Sequence, residues 1–188
     1  MKKIILASQS PRRKQLLEWA EVPFDILVKE TEESYPSNLS MEDTAIYIAR
    51  NKAIAVRATL SDGNDQPILA ADTIVVLGKE IIGKPKDRQD AIDILSRLSG
   101  NEHKVITGVV IMNDDKELAF ADSTTVMFHE LSKEQIEFYV DKYQPYDKAG
   151  AYAIQEWIGV IGIRSVEGDF YNVMGLPVSR VVRALSMF

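Results

Sequence analysis

Apolar residues follow one another almost without a polar break across residues 67–77, PILAADTIVVL. That is the pattern of a strand covered on both faces rather than of one with a wet side. Short runs at 2–7 and 24–28, a longer pair at 105–112 and 118–128, and a run at 158–166 predict further strands. Asn113-Asp114-Asp115-Lys116 turns one of them into the next, and Gly78-Lys79 makes a tight turn into Glu80-Ile81-Ile82. Between these runs the apolar period changes to that of a helix. Ser10 as cap and Pro11 in the first turn open one to about Ala20, with Leu16, Leu17 and Ala20 as its inward stripe. Ser40 opens a long one with the stripe Ile48, Ala49, Ala53 and Val56. Asp87 caps one carrying Ala91, Ile94, Leu95 and Leu98, stopped by Gly100. Ser132 with Gln135 forms a capping box ahead of Ile136, Tyr139, Val140 and Tyr143. Gly175-Leu176-Pro177 starts a terminal helix that buries Val178, Val181, Val182 and Leu185. With no repeat, low-complexity tract or linker, one continuous mixed α/β domain over 1–188 is the predicted architecture.

The balance of 46% hydrophobic and 27% charged residues fits a globular protein with a good core. A net charge of -6 argues against a broad surface for nucleic acid or anionic membrane, while leaving room for a local basic pocket. The absence of cysteine excludes disulfides, thiol catalysis and thiolate metal sites. The opening MKKIILASQSPRR has an apolar run of only Ile4 to Ala7, too short for a signal core, and no stretch reaches membrane-spanning length. A cytoplasmic protein is expected.

Polar residues in apolar settings mark the candidate chemistry. Asp72 and Thr73 interrupt the buried strand, and a carboxylate there needs a cation, a metal or hydrogen-bond donors to offset its desolvation. Asp72 is therefore either a structural partner for a lysine or a catalytic or metal-binding acid at the mouth of a sheet. Ser8, Ser10, Arg12 and Arg13 surround the first turn of the first helix, a recipe for an anion site made of free N–H groups, hydroxyls and guanidinium forks. Arg13 continues that helix's inward stripe. Lys52 falls on the buried stripe of its own helix, where it either snorkels outward or serves a pocket needing positive charge. Lys84 sits between Gly83 and Pro85; the glycine spacing of a P-loop is missing. The run 29–33 is acidic and reads as a solvated loop from which one carboxylate could reach a metal. His103 and His129 lie far apart, without a nearby carboxylate pattern that would favour metal binding.

Taken together and in order, Ser8-Gln9-Ser10-Pro11-Arg12-Arg13, Glu33, Lys52, Asp72-Thr73, Gly83-Lys84-Pro85, Thr107-Gly108, Asp147-Lys148-Ala149-Gly150-Ala151-Tyr152 with Gln155, and Asn172-Val173-Met174-Gly175-Leu176-Pro177 resemble the Maf family of nucleoside triphosphate pyrophosphatases. The family was once named for inhibition of septum formation. The resemblance covers essentially the whole chain. It implies an elongated mixed sheet flanked by helices, with a nucleotide cleft between two lobes, similar to inosine triphosphate pyrophosphatases. The implied reaction splits a nucleoside triphosphate between its α- and β-phosphates with a divalent cation, magnesium or manganese. Arg12, Thr73 and Gln155 match the subgroup similar to dTTP/UTP pyrophosphatases rather than the 7-methyl-GTP subgroup. On this reading dTTP, UTP and their modified forms are the substrates. Asp72 is the general base, Glu33 and Asp72 hold the metal, and Arg13, Lys52, Lys84 and the helix end at Ser10 neutralise phosphate, with Ser8 beside them. Thr73 and Gln155 would bond the pyrimidine edge. Ala153 and Glu156-Trp157 depart from the small glycine-rich residues expected around Gln155. A homodimer is implied by the family alone. The rival from another class is a nucleotide-binding regulator of cell division that acts through a protein partner with little turnover.

Overall fold

The computed structural model describes residues 2–32, 34–61 and 63–188. Among them seven strands form one sheet, in the order β2-β1-β3-β5-β6-β7, with β4 paired to β3. The strands are β1 (Ile4–Leu6), β2 (Phe24–Ile26), β3 (Ile68–Leu77), β4 (Glu80–Ile82), β5 (Glu102–Met112), β6 (Glu117–Phe128) and β7 (Ile163–Glu167). β1 runs parallel to β2 and β3, whereas β3 with β4 and β6 with β7 are antiparallel. The expected mixed α/β class is the one observed. No described helix is long and apolar enough to cross a membrane. The chain divides into two compact units: Met1–Thr73 with Thr107–Asp122 and Gly175–Phe188, and Ile74–Ile106 with Ser123–Met174.

In the first unit, helix α1 (Pro11–Trp19) carries β1 to β2, and helix α2 (Met41–Arg57) carries β2 back past β1 to β3. Both crossovers join parallel strands, and right-handed crossovers in opposite directions put their helices on opposite faces. Side-chain alternation agrees. Ile5 and Ala7 of the first strand segment, Ile68 and Ala70 of β3 and Val110 of β5 pack with Ala49, Ala53 and Val56 of α2 in one buried cluster. The residues in between, Ile4, Leu6, Leu69 and Ala71, are equally buried and point the other way, toward the face that α1 covers. Alternation is the reason β3 reads as apolar throughout. Gly108 of β5 sets how close α2 lies: a Cβ there would fall 2.2 Å from the carbonyl carbon of Ala45. Only glycine lets the helix backbone rest on the strand, and Ala45 lies on the same helical face as Lys52.

The second unit holds the end of β3 with β4, helix α3 (Arg88–Leu98), helix α4 (Lys133–Tyr143) with its capping box at Ser132 and Gln135, and helix α6 (Phe170–Met174). The predicted strand at 158–166 is corrected. Trp157–Gly162 is a short helix, α5, and the strand β7 begins only at Ile163. Six mostly apolar residues satisfy either period, and packing decides. A Cβ on Gly159 would lie 1.7 Å from the carbonyl oxygen of Ile154, so the glycine lets α5 fold back against its own lead-in. In helix α7 (Val178–Leu185), back in the first unit, Val181, Ala184 and Leu185 are buried while Val178 and Val182 stay partly exposed. Ala184 replaces two of the expected valines.

His103, at the start of β5, is part of an aromatic cluster, with ring centroids 5.5 Å from Phe128 and 5.4 Å from Tyr152. Its Nε2 lies 2.7 Å from the Tyr152 hydroxyl, and its buried Nδ1 meets no hydrogen-bond partner among the described residues. Burial pushes the imidazole down to about 4. The unfolded chain, titrating near 6.5, then binds the proton first. This contribution to stability is complete above pH 6.5, falls as pH drops, and levels off near 4. Between pH 7 and pH 5 the expected loss is about 2 kcal/mol, or a fall in Tm of roughly 4–8 °C for a chain of this size. His103→Gln, which cannot titrate, is expected to flatten that part of the Tm-against-pH curve. Parallel curves for the two proteins would show that His103 does not set the slope.

Candidate functional site

Parallel strands followed by helices bind ligands beyond their carboxyl ends, where neighbouring crossovers diverge. In this sheet that point lies between β1 and β3. Leu6 pairs with Leu69, after which β1 ends and β3 runs on. Ser8, Ser10 and the start of α1 follow β1 directly, and Asp72 and Thr73 lie three and four residues past the last β1–β3 pair. The strand order alone brings these distant parts of the chain together.

On the α1 face, Ser10 caps the helix by accepting from the Arg13 backbone N–H, and Pro11 takes its first position. One turn in, Arg13 is buried to 9% exposure. Its guanidinium forks across three chain segments: Nε donates to the Gly175 carbonyl at 2.8 Å, Nη1 to Ser8 Oγ at 3.1 Å and Nη2 to Thr73 Oγ1 at 3.0 Å. All three acceptors are neutral, and these bonds aim the guanidinium. The Thr73 hydroxyl also meets Thr107 Oγ1 at 2.9 Å. Arg12, which precedes Arg13 in α1, is half-buried.

On the α2 face, Asp72 follows Ala70 on the alternating side of β3 and accepts from Lys52 Nζ at 2.6 Å. The side chains keep 14% and 20% of their exposure respectively, so the pair is largely desolvated yet still reached by solvent. No other described residue bonds Asp72. Of the two expectations for Lys52, snorkelling outward does not hold: its ammonium turns inward to the acid. One strand thus carries, at adjacent positions, an aimed guanidinium on one side and a lysine–aspartate pair on the other.

Of the residues named from the sequence, Ser8, Ser10, Arg13, Lys52, Asp72 and Thr73 come together in the first unit. Glu33 lies outside the described residues. Lys84 and Gln155 belong to the second unit, and both are exposed. The loop of Lys84 is tied down by its neighbour, since the Gly83 carbonyl accepts from Gly150 N–H at 3.1 Å. Gln155 stands at the third position of a turn closed by Glu156 N–H to the Ala153 carbonyl at 3.0 Å. Two participants carried no assignment from the sequence. Thr107, fully buried in β5, shows in the sequence as a hydroxyl within an apolar run and as part of the Thr107-Gly108 segment of the resemblance, but with no role attached. The Gly175 contact is a backbone carbonyl, which no side-chain pattern reveals.

Residues 3–188 match the family model described as Maf-like protein. The chain belongs to the Maf family. A Cytophaga hutchinsonii protein named dTTP/UTP pyrophosphatase is 50% identical over 182 residues, covering 97% of this chain and 82% of the relative. Proteins of the same name from Parabacteroides distasonis and Bacillus velezensis are 46% and 45% identical; the matches cover 99% and 100% of this chain and 96% and 97% of those relatives. Among solved structures, the Staphylococcus aureus Ham1 protein superposes with a TM-score of 0.50 at 18% identity, covering 99% of this chain and 98% of the other. That likeness speaks for the fold alone.

Proposed function

We propose that this Maf-family protein is a nucleoside triphosphate pyrophosphatase that hydrolyses dTTP and UTP, with their modified forms, to the monophosphate and pyrophosphate. The observation that carries this reading is the pairing of Arg13 with the Lys52–Asp72 couple around one strand, at the place where such sheets bind ligands. The names of the relatives supply the substrate class.

Arg13, Ser8 and the N-terminus of α1 receive the negative charge of the phosphates. Electrostatic stabilisation of this kind is usually the largest catalytic term. Asp72 takes a proton from the attacking water as its oxygen bonds to phosphorus at the α,β-anhydride, and the bond to the departing pyrophosphate breaks. Lys52 holds the carboxylate in place, and Lys84 adds positive charge. Gln155, exposed at the tip of its turn, bonds the pyrimidine edge. Arg12 and Thr73 complete the substrate-binding set, with the Thr73 hydroxyl also bracing Arg13.

No three acids or histidines gather as a metal cage among the described residues. Magnesium needs none, because it is held by one or two carboxylates together with substrate phosphates. Asp72, with one oxygen on Lys52 and no other described residue bonded to it, fits that mode. Asp72, with Glu33 as the second carboxylate that the resemblance implies, would hold magnesium or manganese, which when bound offsets phosphate charge and acidifies a water. The reading also places the protein in the cytoplasm, acting on free nucleotides rather than nucleic acid, in keeping with its net charge of -6.

A panel of dTTP, UTP, dCTP, ATP and GTP, each with magnesium, with manganese and with chelator, tests the reading. Pyrophosphate release from dTTP and UTP, lost on chelation, is expected. Orthophosphate as the first product would assign a different hydrolase. Binding without turnover would favour a regulator acting on cell division through a partner.

A further inference from the structure

Both ends of the turn that presents Gln155 are bonded by one side chain. Tyr139, on α4, is fully buried, and its ring stacks on Tyr143 with centroids 5.0 Å apart. Its hydroxyl accepts from the backbone N–H of Ala153 at 3.2 Å and donates to the carboxylate of Glu156 through a short hydrogen bond. Ala153 and Glu156 are the first and last residues of the four-residue turn, and they also bond each other through the backbone. The other oxygen of Glu156 lies 3.6 Å from Nζ of Lys148, a lysine only 8% exposed that also bonds Asp147 at 2.7 Å. The turn is therefore held at both ends by one phenol, and the carboxylate at its far end is held from two sides. Gln155 itself stays exposed at the third position.

We propose that Tyr139 is a specificity-determining positioning residue, whose hydroxyl fixes the Ala153–Glu156 turn and through it the amide that reads the base. The proposal rests on Gln155 contacting the base. The physical ground is that discrimination by hydrogen bonding requires a donor and acceptor already in place, since a mobile amide can turn to suit either base. A phenol bonded to both ends of the turn denies it that freedom. Its ring belongs to a rigid, capped helix rather than to the loop it holds.

The test compares kcat/KM for dTTP with that for GTP, from pyrophosphate release, in Tyr139→Phe, Glu156→Ala, Glu156→Gln, Gln155→Ala and the double variant Tyr139→Phe/Gln155→Ala. Loss of one such hydrogen bond corresponds to roughly tenfold, so the dTTP-to-GTP ratio is expected to fall about that far in Tyr139→Phe and Glu156→Ala. Glu156→Gln, whose amide oxygen still accepts from the phenol, is expected to retain the ratio. In the double variant the ratio should equal that of Gln155→Ala alone, because the hydroxyl acts only through the amide. Should Tyr139→Phe fail to fold, as judged by its melting curve, the two Glu156 variants carry the test. The proposal is overturned if Gln155→Ala lowers the ratio while Tyr139→Phe and Glu156→Ala do not, or if these two slow both nucleotides equally. A ratio indifferent to Gln155→Ala overturns instead the assignment of Gln155, and this proposal with it.

Discussion

Asp72→Asn is expected to lower turnover of dTTP by about a thousandfold or more while the nucleotide still binds. The substitution keeps the shape of the side chain and leaves Lys52 an amide oxygen to bond, but it removes the group that takes the proton from water. General base catalysis supplies about 10²–10⁴ in rate. Loss of a carboxylate from the proposed metal site adds to that. Stability should fall by only a few kcal/mol, the order of the cost of leaving one member of a desolvated ion pair without its counter-charge. Part of that cost is relieved here because both side chains keep some contact with solvent. Single-turnover hydrolysis, a Kd for dTTP from calorimetry and a melting curve separate the three effects. Full activity in the variant would remove Asp72 from the chemistry and leave the Lys52–Asp72 pair as a structural bridge between α2 and β3.

Arg13→Lys is the second large effect. It retains the charge yet is expected to cost about a hundredfold in kcat/KM and roughly 2 kcal/mol in stability, the latter corresponding to a fall in Tm of about 4–8 °C. Three nitrogens of the guanidinium reach Gly175, Ser8 and Thr73, at distances of 2.8, 3.1 and 3.0 Å. An ammonium is a single nitrogen on a flexible stem and cannot span acceptors on three different segments. The Gly175 carbonyl and one hydroxyl then lose their donor inside the protein, which accounts for the stability term. The retained charge loses its aim, which accounts for the rate. The lower Tm together with an unchanged kcat/KM would show that the guanidinium serves the fold and not the phosphates.

Local signals were legible wherever the chain writes its own boundary. Ser10, Ser40, Asp87 and Ser132 each cap the helix expected of them, because a short hydroxyl or carboxylate bonds the N–H three residues on whatever lies around it. The buried strand and its two polar intruders were visible for a similar reason: burial on both faces leaves no alternation to hide them. Residues 158–166 do not show their helix in the sequence, because a short apolar run suits either period and the Gly159 contact that favours the helix is made with the backbone of its own lead-in at Ile154, which the apolar pattern does not encode.

The sequence by itself determined which residue types sit where: an acid inside an apolar strand, arginines on a capped first turn, a lysine on a buried stripe, and motifs that together resemble one family. Partnership was decided only by the tertiary structure. Strand alternation sends Asp72 to Lys52 and its neighbour Thr73 to Arg13, on opposite faces. The Arg13 fork closes over residues 60 and 162 positions away. Both ends of the Gln155 turn meet one hydroxyl on α4. Such contacts depend on strand order and helix side, which arise from the whole chain packing at once, and no local pattern encodes them.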